Sequence, residues 1–114
     1  MEFKRLFTQG EAERTLPLVR KIVGDILAAA DRLRSLPEGD AGRAELEAAL
    51  AEHFEELEDI GCFYKDWSFS VGLVDFPAEI DGEQVFLCWR SDEHELAYYH
   101  RIEEGYSGRR RLAE

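Results

Sequence analysis

At 114 residues with 45% hydrophobic side chains, the chain is sized for one domain that buries its own core, and it is too apolar for a disordered acidic tail. Its formal net charge of −11 opposes binding to nucleic acid or to anionic membranes, and no apolar run approaches the ~20 residues of a membrane span. Two cysteines, Cys62 and Cys88, form no CxxC pair, and the first residues carry no apolar core followed by small side chains, so reduced thiols in a cytoplasmic protein are the expectation.

Thr8-Gln9-Gly10-Glu11 matches a capping box and opens a helix over about 8–35. Its apolar positions Ala12, Leu16, Val19, Val23, Ile26, Ala30 and Leu33 recur in alternating steps of four and three. Pro17 lies inside this pattern, which predicts a kink or break near Thr15. A second helix is predicted over about 42–60, with Leu46, Leu50, His53 or Phe54, Leu57 and Ile60 inward and Gly61 as its left-handed cap. The short link through Pro37 and Gly39 makes the two helices antiparallel neighbours. The acids of the second helix, among them Glu47, Glu52, Glu55 and Glu58, form its wet face.

Beyond Gly61 the period changes to that of strands, predicted over about 72–77, 84–90 and 95–100. Asp81-Gly82 is the favoured pair for a two-residue hairpin turn, and centring the hairpin there pairs Val74 with Trp89, Asp75 with Cys88 and Ile80 with Glu83. Pro77 then needs an edge or a bulge. A turn through Ser91–His94 pairs Arg90 with Glu95, Leu87 with Tyr98 and Phe86 with Tyr99. One face then carries Val74, Phe76, Val85, Leu87, Trp89, Leu96 and Tyr98 and covers the helices; the other carries Leu73, Asp75, Phe86, Cys88, Arg90, Glu95, Ala97 and Tyr99. The predicted fold is α+β, an antiparallel two-helix hairpin on one face of a three-stranded antiparallel meander, with residues 104–114 as a turn-rich tail.

Several segments have a familiar pattern: Phe7-Thr8 through Leu16-Pro17-Leu18, Lys65-Asp66, Gly72-Leu73-Val74-Asp75-Phe76-Pro77, Leu87-Cys88-Trp89-Arg90, Tyr98, His100, Gly105 and Gly108-Arg109. On these the chain resembles the bacterial family known as domain of unknown function 2203, over nearly its whole length. Tyr99 stands where that pattern leads one to expect tryptophan, and Arg101 where it leads one to expect an acid. The resemblance implies a small single-domain protein and lends no catalytic residues.

Three polar groupings deserve chemistry of their own. Asp75, Cys88, Arg90, Glu95 and Tyr99 share the mixed sheet face and, with Arg109 from the tail, make a candidate site for a small polar ligand; the plainer alternative is a cross-strand Arg90–Glu95 pair. His100 with Glu103 is the candidate metal set, since imidazole and carboxylate suit a divalent ion; the predicted register turns Asp75 away from His100, and Glu93 and His94 lie ~20 Å off at the other end of the strand. His53 with Glu56 and Glu52 shares a helix face but lacks a matching motif on the first helix. Cys88 lacks a base on its face, and no phosphate loop is present. Arg109-Arg110-Arg111 reads as a solvated tail or a clamp for an acidic partner.

The functional expectation is a non-enzymatic binding or scaffolding module that forms a homodimer through the aromatic surplus of the mixed face, with no cofactor required. The alternative is a small metal- or ligand-dependent enzyme around Asp75, Arg90, His100 and Glu103.

Overall fold

Thr8 caps the first helix as its sequence predicts: the Glu11 amide donates to Thr8 Oγ1 at 3.1 Å, and the Thr8 amide donates back to Glu11 Oε1 at 2.8 Å. In the computed structural model, which describes residues 3–112, helix α1 spans Gln9–Ser35 and helix α2 spans Gly42–Ile60. The predicted interruption near Thr15 does not end the helix, and α1 continues through Pro17. Proline costs the helix one backbone donor, while burial of Leu16, Val19, Ile22, Val23 and Ile26 around it keeps the segment helical. Gly61 ends α2 in the left-handed region at φ 102°, its amide donating to the carbonyls of Leu57 and Glu58.

Helix α1 supplies most of the helical core. In α2 only Leu57 is fully buried, and Leu50, Phe54 and Ile60 pack against the core from its margin. The sheet has five antiparallel strands in sequence order: β1 (Phe63–Tyr64), β2 (Leu73–Ile80), β3 (Glu83–Arg90), β4 (Tyr98–Arg101) and β5 (Arg110–Arg111). The predicted three-stranded meander is therefore the centre of a larger sheet. Strands β1 and β5 are two residues long, too short for an alternating pattern to register. The supposed tail contributes β5 and a 3₁₀ turn over Tyr106–Gly108.

The β2–β3 hairpin has the predicted register throughout, with Asp81 and Gly82 both at positive φ in the turn. No bulge interrupts it at Pro77. Strand β1 pairs only with Val74 and Asp75, so beside Pro77 the edge of β2 is left to Phe7, whose amide donates to the Pro77 carbonyl at 2.7 Å.

Strand β4 departs from expectation. It begins at Tyr98, and its register is one residue off the prediction: Phe86 faces His100, Leu87 faces Tyr99 and Cys88 faces Tyr98. The cause is the loop over residues 91–97. Glu93 folds back, its carboxylate accepting from the Arg90 amide at 2.8 Å and its carbonyl from the Trp89 indole at 3.2 Å. Leu96, 4% exposed, then drops into the core as a loop residue. A one-residue slip exchanges the two faces of a strand. Tyr99 therefore packs toward the helices, and Tyr98 and His100 join Asp75, Phe86, Cys88 and Arg90 on the open face.

A candidate metal centre on the open face of the sheet

Asp75, Cys88 and His100 sit on three adjacent central strands, and the side chains of all three point away from the helices. They are 3%, 2% and 3% exposed, and one donor atom from each lies within 4.8 Å of the other two. His100 Nε2 is 3.1 Å from both carboxylate oxygens of Asp75. Its Nδ1 is 2.8 Å from the Arg101 carbonyl, an atom that only accepts, so Nδ1 carries a hydrogen and Nε2 is the nitrogen turned toward the other two groups.

The proton balance follows from that geometry. With no cation between them, Nε2 must also donate, and the ring is an imidazolium facing a carboxylate. Burial by itself would lower the His100 pKa, but its bonds to Asp75, Cys88 and the Arg101 carbonyl outweigh that and raise it to about 10. Burial pushes the Cys88 thiol up, with His100 pulling partly against it. Cys88 is thus no activated nucleophile: neither ring nitrogen is free to take its proton, since one serves Asp75 and the other a carbonyl. Cys62 lies buried on the other side of the sheet, its thiol raised to about 12 by burial, and is inert.

Asp75 and His100 also line a cavity of about 260 Å³ with Lys65, Leu73, Phe86, Ile102, Glu104, Gly105 and Tyr106. Its walls come from the segments flanking the sheet. Phe3 and Phe63 pack edge-on against Phe86, at centroid distances of 5.4 and 5.9 Å. On the far side Arg109 fixes the 3₁₀ turn: it pairs with Glu93 and lies over the rings of Tyr98 and Tyr106 at 4.0 and 4.7 Å.

The other predicted residues are placed as follows. Arg90 is on the open face as expected, yet it pairs with Asp92 at 3.0 Å and donates to the Tyr106 hydroxyl at 2.8 Å; the expected pair with Glu95 does not form, because the loop carries Glu95 out to solvent. Tyr99 lies on the helix face, away from Asp75. Arg109 is inside the structure, bound to Glu93, and Arg110 bridges both oxygens of Glu104, so the arginine run is folded back onto the chain. Glu103 is exposed and outside the trio; the acid that His100 meets is Asp75, and of the two acids after β4 it is Glu104 that reaches the cavity. His53 and Glu56 bond to one another at 3.0 Å on α2. Lys65, which the sequence presents only as part of the Lys65-Asp66 pair, also lines the cavity. Phe63 lies opposite Asp75, so Lys65 two residues on shares its face, but a two-residue strand gives no period from which to read that.

A family model described as "Uncharacterized conserved protein (DUF2203)" matches residues 5–112. The chain belongs to that family. No curated protein and no solved structure matches it. In this family member, the segments from Gly72 to Pro77 and from Leu87 to Arg90, with His100, are those that deliver the buried trio.

Proposed function

We propose that this protein binds a divalent transition metal of the zinc class at Asp75, Cys88 and His100 and presents it to a small molecule in the adjoining cavity. One observation carries the reading: a carboxylate, a thiol and an imidazole from three strands converge within 4.8 Å in a buried position, with the imidazole held by a carbonyl at its far nitrogen. A ligating histidine is ordinarily oriented by such a second bond. A mixed O, S and N set favours zinc or cobalt over magnesium or calcium, which take oxygen ligands. Three protein ligands leave a fourth position open, as in catalytic zinc sites, and two of the three line the cavity. A metal there replaces the proton on Nε2 and holds Cys88 as the thiolate. Chemistry at the metal, by polarising a carbonyl or a water, is the finer form of this reading.

The test is a thermal-shift series on chelator-treated protein. A ligand that binds only the folded state stabilises by about 2.7 kcal/mol at a hundredfold excess over Kd. Zinc and cobalt should raise the melting temperature and magnesium should not, and Cys88→Ser should lose most of the zinc response. Absence of a shift with any metal would sink the proposal.

Self-association as a homodimer is the second reading. The aromatic surplus that suggests it on the open face is covered by Phe3 and Phe63, and Phe86 is 5% exposed. Among the described residues the aromatic most exposed is instead Trp67, 63% accessible beside Phe54, Tyr64 and Phe69, ahead of Tyr106 and Phe63. Sedimentation of a dimer that Trp67→Ser dissociates favours this reading; a monomer at micromolar concentration removes it.

A further inference from the structure

We propose that the cavity beside Asp75 and His100 takes a small carboxylate with a short apolar body, its carboxylate placed between Lys65 and the metal; this rests on the metal reading above. The cavity's charges single out an anion. Glu104 is already satisfied, since Arg110 bridges its two oxygens at 3.1 and 3.2 Å and the Arg101 amide donates to it at 3.1 Å. Asp75 is turned to His100. Lys65 has no carboxylate within 4.0 Å among the described residues, and its ammonium stands 5.3 Å from the Phe86 ring centroid, on the cavity wall. A divalent ion balanced by one carboxylate and one thiolate adds no net charge, so Lys65 leaves the cavity positive in a protein whose formal net charge is −11.

The remaining walls set the rest of the ligand. Leu73, Phe86 and Ile102 are apolar and suit a short hydrocarbon body. At about 260 Å³ the space is below the ~300–1,000 Å³ of pockets for drug-sized ligands. One lysine among apolar walls matches the single charge of a carboxylate; a phosphate group calls for several converging donors.

The experiment uses the cobalt-substituted protein, whose visible bands report ligands at the metal. Butanoate, its uncharged isostere butanamide and inorganic phosphate are titrated separately. Butanoate should shift the bands to saturation at lower concentration than either of the others. Lys65→Met should leave the spectrum without added ligand unchanged and weaken butanoate by about fivefold, the scale of one solvent-accessible ion pair. Equal half-saturation by butanoate and butanamide, tighter binding of phosphate, or full butanoate affinity in Lys65→Met would each overturn the carboxylate site while leaving the metal centre standing. A folded protein with no thiolate-to-cobalt charge-transfer band would remove the metal reading and this inference with it.

Discussion

Two acceptors face the two nitrogens of His100, and that fixes what the ring must do. The Arg101 carbonyl holds one nitrogen in its protonated form, and Asp75 asks the other either to donate or to share a cation. Both side chains are 4% exposed, so neither charge is relieved by water. Removing one partner of such a pair costs more than removing both, because the survivor is left buried and alone. In metal-free protein, Asp75→Asn should therefore cost about 3 kcal/mol in urea unfolding. Asp75→Asn combined with His100→Gln should cost less than the sum of the single changes, with a coupling of about 1–3 kcal/mol. Additive costs would mean that the two side chains do not act as a pair. The opposition of Asp75 and Cys88 was readable from Asp81-Gly82, whose turn type fixes the hairpin register. The place of His100 was not, because it depends on how Glu93 spends its side chain in the loop before β4.

At the scale of elements, the contact between α1 and the start of β2 is close enough to forbid a side chain. A methyl group at Gly72 would lie 2.2 Å from Val23 Cγ1, whereas one at Gly24, on the exposed side of α1, would meet nothing within 4 Å. Gly72→Ala should destabilise by about 1–3 kcal/mol, and Gly24→Ala should stabilise by about 0.5–1 kcal/mol through helix propensity. Denaturant midpoints moving in opposite directions check both. The segment between β1 and β2 is tied by Asp66, which accepts from Ser68 Oγ at 2.6 Å, from the Val71 amide at 2.8 Å and from the Ser68 amide at 3.2 Å. Burial would raise its carboxyl pKa, but these donors outweigh it and hold it below the usual range. A carboxylate depressed in the folded state stabilises above its unfolded pKa, and that stability is lost as pH falls through the folded value. Asp66→Asn should thus be less stable than the parent at pH 7, with the gap narrowing below about pH 4. A gap independent of pH would show that ionisation of Asp66 has no part in it. Helices and the first hairpin were legible because their periods run for eight residues or more. Strand β4 slipped by one because no apolar alternation survives in a loop that sends Leu96 inward, and β1 and β5 are held by neighbours more than by their own pattern.

The molecule measures 51 × 25 × 24 Å, the long axis reflecting a helical hairpin that carries little polar chemistry inside it. Its acids are spread over the outer face of α2, where Glu52, Glu55, Glu56 and Asp59 stand together, and a net charge of −11 draws cations to the surface in general. Attraction of that kind selects no particular metal. On the proposed reading, selection rests with the buried trio, where the Cys88 thiolate would distinguish zinc and cobalt from the harder ions. The α+β layering was evident in the sequence; that the chemistry belongs to the sheet face the helices leave uncovered is a proposal, which the convergence of Asp75, Cys88 and His100 there supports. The measurement that bears most directly on this account is zinc X-ray absorption of the protein loaded with one equivalent of metal. It should give one sulfur neighbour at about 2.3 Å and nitrogen or oxygen neighbours at about 2.0–2.2 Å, with the sulfur shell lost in Cys88→Ser. A shell of oxygens alone, or a sulfur signal that survives that substitution, would contradict it.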